Sequence, residues 1–413
     1  MDIHKAINLI QKDKLFANSF WLMLNTVVLT ALGFFFWTVI ARFYPPTEVG
    51  LATTLISAMN LIITIAGLGL GVALVRFLPS SKDPNKSINT TVVVSALVSV
   101  AISALFVILI GIFSPKLAFV QQNFFYGLFF IFSVVISLLF TILDNIFLSY
   151  NVSYFTVLKS TIFSVIKIIL PPFLIAFGVI GIFGSWVLGT VIALIAAIYI
   201  LVSRKLYQPK LEIHENLLYE ILPFSFGNYL ANLVRLLPSM VFPLFITELL
   251  SPESTAYYYT AFMVAGLLNI IPNATSSAVL AEGSKNPEGY KEAERKAIAI
   301  TFALLLPSAI VMFILADFIM LLLGKAYSDN AAGLLRIFCL ASFLVAINFF
   351  YGTKLNIEKR VGAIIIRNVI IVFVTFASWY FFFLDMGLNG IGWAWTAGMA
   401  ATVPMYIWDR FKK

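Results

Sequence analysis

The sequence has one cysteine and two histidines among 413 residues. Cys339 alone cannot form an internal disulfide or a thiolate cluster, and His4 and His214 lie in polar segments, which argues against a histidine metal site. Charge is scarce too, at 11% of residues, with 19 acidic against 27 basic side chains. No G-x-x-x-x-G-K-[ST] phosphate loop occurs, so the chain is not an ATPase of that kind. These shortages leave no catalytic constellation and no metal ligands to name, and the expectation is a protein that is not an enzyme. The abundant material is apolar: 61% of residues are hydrophobic. A soluble domain does not have this composition, whereas a chain of many membrane spans does.

A helix needs roughly 20 apolar residues to cross a bilayer. Apolar runs of that size predict an all-α polytopic membrane protein with twelve transmembrane helices: 19–42, 48–78, 88–113, 123–149, 155–177, 180–203, 220–247, 254–281, 295–323, 330–353, 361–384 and 387–408. Residues 1–18 read as a polar, amphipathic lead, and the first run is too long for a signal peptide, so it reads as a retained span. With the N-terminus inside, 20 Lys and Arg fall in inside segments, three (Arg42, Lys116, Lys325) outside and four (Lys167, Arg235, Arg336, Arg367) within spans. That asymmetry accounts for the formal net charge of +8 without nucleic acid, and it predicts that both termini are cytoplasmic.

The chain repeats itself at half its length. Pro46-Thr47-Glu48-Val49-Gly50 aligns with Pro252-Glu253-Ser254-Thr255-Ala256, and a G-I-x-x-x-W-x-x-G pattern at Gly181–Gly189 returns at Gly390–Gly398. The offsets, 206 and 209, nearly agree. This predicts a six-span unit used twice: an N-terminal lobe over 1–203, a cytoplasmic linker over 204–219 and a C-terminal lobe over 220–413. Six is even, so the repeat is parallel.

A charged side chain inside a span is costly and marks a functional position by default. Arg235 lies twelve residues after Pro223, ~18 Å along a helix, and shares its helix with Asn232. Lys167 is similarly central. For both, two readings stand open: lining a cavity, or structural pairing within the lobe. Arg336 and Arg367, nearer span ends, are expected to snorkel, and Asp317 to reach water. Asn25, Asn60, Asn269 and Asn273 are deep and polar; they either line a cavity or join helices. Arg42, Glu48 and Asp144 are gate or coupling candidates, with a solvated corner or an interface as the plain alternative. The deepest charges are positive, which suits phosphate or another anion.

The turn Ala-Arg-Phe-Tyr-Pro-Pro-Thr-Glu-Val-Gly-Leu-Ala (Ala41 to Ala52), followed by Gly67-Leu68-Gly69-Leu70-Gly71 and Arg76-Phe77-Leu78-Pro79, resembles the start of the polysaccharide biosynthesis membrane-protein family. That family comprises lipid-linked oligosaccharide flippases of the multidrug/oligosaccharidyl-lipid/polysaccharide exporter superfamily. The resemblance implies two six-helix lobes, V-shaped around a central cavity, and alternating access. It implies a polyprenyl-pyrophosphate oligosaccharide as substrate, turned from the cytoplasmic to the outer leaflet of the cell membrane, with Arg235, Lys167, Asn25, Asn60, Asn232, Asn269 and Asn273 as binding candidates. Membrane lipids and a polysaccharide polymerase are the implied partners. No cofactor is expected beyond a coupling ion, H+ or Na+. Two alternatives remain. A cation-coupled multidrug exporter of the same superfamily should bury acidic residues, for which Glu48 and Asp144 are the only candidates. A membrane polymerase or glycosyltransferase should carry a large extramembrane loop.

Overall fold

The computed structural model describes residues 14–285 and 290–411; the lead expected over 1–18 falls largely outside them. Among the described residues the regular structure is helical, and eleven helices are long and apolar enough to cross a membrane. The chain is a multi-pass membrane protein. We number the main helices α1 (Lys14–Phe43), α2 (Pro46–Ala66), α3 (Pro84–Phe113), α4 (Phe124–Ser149), α5 (Tyr154–Ile169), α6 (Gly178–Ser203), α7 (Glu215–Leu249), α8 (Pro252–Ser284), α9 (Tyr290–Ile314), α10 (Lys325–Ile357), α11 (Val361–Phe382) and α12 (388–401), the first eleven of which carry the membrane-crossing segments.

Several helix ends differ from the expected spans, each for a local reason. The expected span 48–78 is two helices, because Leu68 (φ 48°) and Gly69 (φ 71°) turn left-handed and Leu70–Phe77 starts afresh. The expected span 155–177 stops at Ile169, since Pro171 and Pro172 cannot supply helical N–H groups and the chain passes into two 3₁₀ turns. The last expected span, 387–408, differs most: its helix, 388–401, is not among the eleven. It starts after Gly387 and breaks at Thr402, with a further helix at Val403–Phe411.

Contacts divide the chain into two compact units, Met1–Tyr44 with Thr54–Tyr229, and Pro45–Thr53 with Leu230–Lys413. In the first, α4 packs on α3 and α6, and α5 on α1 and α6. In the second, α10 packs on α8, α9 and α11. The first turns of α2 belong with the second unit: the Thr47 hydroxyl donates to the Glu253 carboxylate, and Gly50 abuts the Pro252 carbonyl, where a Cβ would collide.

The repeat read from the sequence is visible in the backbone. Gly178 (φ 51°, ψ −128°) and Gly387 (φ 52°, ψ −124°) make the same turn, in a region open almost only to glycine. Three residues later, Gly181 and Gly390 each press on the carbonyl of the preceding segment, Leu174 and Phe382. Further along, a Cβ on Gly189 would lie 2.9 Å from the Phe163 carbonyl oxygen, and one on Gly398 would lie 2.8 Å from that of Ile371. The G-I-x-x-x-W-x-x-G pattern is thus a close-packing device, used once per half.

The expected linker, 204–219, is irregular only to His214, because α7 starts at Glu215. It is strapped to the start of α3. Asn89, fully buried, accepts from the Tyr207 hydroxyl (2.7 Å) and the Lys210 N–H (3.1 Å), and donates to the Glu212 carboxylate (3.0 Å). The Gln208 N–H donates to Asn85 (2.9 Å) and the His214 N–H to Thr90 (3.1 Å). The hydrogen bond from Asn89, more than the nearby His214 and Lys210, holds the Glu212 carboxyl below the usual carboxylate range. Burial, with Glu212 beside it, pushes the Tyr207 phenol up to about 12.

Candidate functional site

The second unit contains a cavity of about 470 Å³, within the range of roughly 300–1,000 Å³ that suits a drug-sized ligand. Helical spacing builds its walls. Asn269, Asn273, Ser276 and Ser277 recur along one face of α8, and Asn348, Gly352, Thr353 and Asn356 along one face of α10. α7 contributes Arg235 and Ser239, α11 contributes Arg367 and Asn368, and α12 contributes Trp395 and Met399. Among the described residues no Asp or Glu lines it.

The polar walls are held in place by their own bonds. Arg235 Nη2 donates to Asn232 Oδ1 at 2.8 Å, so Asn232 supports the arginine and does not itself line the cavity. Arg367 is buried. Its Nη1 donates to the Asn348 carbonyl (3.1 Å), and Nε and Nη2 both donate to Asn368 Oδ1 (3.3 and 2.9 Å). The Asn348 amide donates to the carbonyls of Leu344 (3.0 Å) and Met399 (2.9 Å) and accepts from the Thr402 hydroxyl (2.7 Å). It therefore fixes α10 against the break after α12 and leaves its own carbonyl for Arg367. Asn269 Oδ1 is enclosed and, among the described residues, has no hydrogen-bond partner.

Of the candidates named from the sequence, the structure brings Arg235, Asn269 and Asn273 to this cavity, with Asn232 behind Arg235. Arg367 was expected to snorkel toward an interface, but it lies buried in the cavity wall, bonded to Asn348 and Asn368. Arg336 has an ion partner, Asp317, and a bond to the Phe313 carbonyl (3.3 Å).

The remaining candidates lie elsewhere. Lys167, 3% exposed, sits in the first unit inside an aromatic cage, with its ammonium 4.8, 4.4 and 4.3 Å from the ring centres of Phe36, Phe163 and Trp186. Asp144 pairs with Lys159 at 2.7 Å in the same unit. Asn25 Oδ1 is enclosed without a hydrogen-bond partner among the described residues, and the Asn60 carbonyl accepts from the Thr64 hydroxyl at 2.8 Å. Arg42 closes the last turn of α1. Glu48 opens the first turn of α2, where the helix dipole favours a carboxylate.

This site can do two things chemically. Two guanidinium groups with no carboxylate beside them among the described residues attract an oxyanion, and arginine offers paired N–H donors to phosphate oxygens. The surrounding amides and hydroxyls, with the Trp395 ring, match the hydroxyls and apolar ring faces of sugars.

Solved structures share the fold. The lipid II flippase MurJ in an inward closed conformation superposes with a TM-score of 0.78 at 14% identity, covering 94% of this chain and 86% of that one. An inward-facing multidrug resistance MATE family transporter of the MOP superfamily gives 0.70 at 17%, covering 93% and 94%. A MOP superfamily transporter from Pyrococcus furiosus, described as having a binding pocket whose reversed polarity suggests a different function, gives 0.65 at 16%, covering 99% and 98%. No curated protein sequence matches the chain significantly. A family model described as polysaccharide biosynthesis protein matches residues 39–332, more than two thirds of the sequence. On a fold shared with MOP superfamily transporters, the chain belongs to the polysaccharide biosynthesis protein family.

Proposed function

We propose that this protein is a flippase for polyprenyl-pyrophosphate-linked oligosaccharides, carrying them from the cytoplasmic to the outer leaflet of the cell membrane by alternating access. The observation that carries this reading is the charge of the cavity: Arg235 and Arg367 line it and, among the described residues, no carboxylate does. Two like charges in a low-dielectric space repel each other, and a pyrophosphate between them turns that repulsion into two attractions. The asparagine and serine faces of α8 and α10 receive the first sugar, and Trp395 supports its apolar face. The lipid tail stays in the bilayer. Both termini are cytoplasmic in this reading, a proton or sodium gradient drives the return step, and a polysaccharide polymerase uses the product.

A cation-coupled drug exporter of the same superfamily would need an acidic group in its binding cavity. Asp144 is instead held by Lys159, and Glu48 occupies a helix start. The deciding experiment reconstitutes the protein in proteoliposomes with a fluorescent polyprenyl-pyrophosphate oligosaccharide and, separately, a cationic dye. The lipid-linked sugar is expected to change leaflet while the dye stays in place. Gradient-driven dye movement with a stationary lipid-linked sugar would overturn the reading.

A further inference from the structure

The two halves hold one side-chain arrangement in two states. In the first unit Lys159 of α5 donates to the Phe140 carbonyl of α4, and in the second Arg367 of α11 donates to the Asn348 carbonyl of α10. Each bond spans 19 residues. The two carbonyls are 208 residues apart, and so are the two cations. The halves differ at one neighbouring position. One turn beyond Phe140, Asp144 neutralises Lys159 at 2.7 Å. The residue 208 positions after Asp144 is Gly352.

Gly352 lines the cavity, and a Cβ built there would lie 2.5 Å from Arg367 Nη1 and 3.4 Å from Nη2. A side chain at this position would therefore stand against the end of the guanidinium. That end is uncommitted, because the three Arg367 bonds leave one N–H on each terminal nitrogen. In the first half a carboxylate fills this place. In the second half no side chain fills it; the Arg367 guanidinium itself comes up against Gly352, at the cavity wall.

We infer that Gly352 marks the seat of the substrate's pyrophosphate, whose oxygens take over Arg367 the position that the Asp144 carboxylate takes over Lys159. Asp144 is then an internal substitute for the ligand, keeping the first copy closed to anions. The absence of a side chain at 352 keeps the second copy receptive. The inference rests on reading the cavity as a pyrophosphate site.

The test uses the full-length protein in detergent with inorganic pyrophosphate as probe, read by calorimetry and by thermal unfolding. Gly352→Asp supplies the missing carboxylate. Its Cβ pushes the guanidinium end aside and its carboxylate takes up the free N–H groups, so it is expected to weaken pyrophosphate binding by about tenfold or more, with thermal unfolding reporting that the variant is folded. Wild-type affinity in Gly352→Asp, with the wild type itself binding, would overturn the seat while leaving the proposed function standing. No binding by the wild type would instead fell the reading of the cavity. Should Gly352→Asp not fold, Gly352→Cys in a Cys339→Ala background serves. Pyrophosphate is expected to slow its modification by an anionic thiosulfonate at least threefold, and an unchanged rate in a protein that binds pyrophosphate would overturn the seat.

Discussion

Arg235 and Arg367 reach the same cavity by different means. Arg235 extends from α7 with one amide partner, Asn232. Arg367 is fixed by the Asn348 backbone carbonyl and the Asn368 side-chain amide oxygen and is buried. A charge-assisted hydrogen bond contributes about 1.5–3 kcal/mol, a factor of roughly 10 to 150 in affinity. Arg235→Ala and Arg367→Ala are each expected to weaken pyrophosphate binding by that factor and to abolish leaflet transfer, with the protein still folded and inserted. Normal transfer by both would exclude the cavity as the substrate site. Lys167 calls for the opposite expectation. Its ammonium lies against three ring faces, and cation–π contacts of a desolvated cation are worth about 2 kcal/mol. Removing a buried charge relieves a desolvation cost of similar or larger size. Lys167→Met should therefore shift unfolding by no more than about 2 kcal/mol in either direction and leave transport intact. Lys167→Glu would set a carboxylate against the negative ring faces and should prevent folding. Lost transport in a stable Lys167→Met protein would return this residue to the substrate path.

Among the elements, Gly178 and Gly387 set where α6 and α12 begin. Alanine at either would be forced into a backbone conformation costing about 1–3 kcal/mol. Gly387→Ala is therefore expected to lower the unfolding temperature by several degrees or to extend α11 into α12, and a shift in thermal unfolding measures it. Eleven of the twelve expected spans were legible in the sequence, because length and apolarity alone define a membrane helix. Their interruptions were not. The turn at Leu68 and Gly69 lies within an apolar run whose glycines read equally well as helix-packing residues. The candidate site was legible on α7 and α8, where Arg235, Asn269 and Asn273 stand out as polar groups deep in long runs. Arg367 was misread because depth along a span was taken to decide its fate. What holds it is the Asn348 carbonyl on α10, a contact that no local pattern reveals. The signal was nevertheless present in the repeat, which pairs Arg367 with Lys159 once the interval is known.

The positive-inside count makes a statement about the whole molecule that can be checked directly. The chain has one native cysteine, so Cys339→Ala gives a background for single-cysteine labelling. Cysteines placed at the exposed positions Lys210 and Lys291 should react only from the cytoplasmic side, and those at Lys116 and Lys325 only from the outside. Reaction of all four from one side would show that the span count is wrong. The repeat also bears on the molecule as a whole. Two halves with matching turns at Gly178 and Gly387 differ in their charges, Asp144 with Lys159 in one and Gly352 with Arg367 in the other. The two halves share a scaffold and differ in their electrostatics.

The strap of 204–214 on α3 has a consequence for biosynthesis. Its bonds, centred on Asn89, join residues that have all been translated by the time His214 is added. A nascent chain can therefore fasten its linker before the second half leaves the ribosome, following the usual N-terminal-first order of folding. The six helices that follow are then made from a tethered starting point, and α7 enters the bilayer from a position already set by the first half.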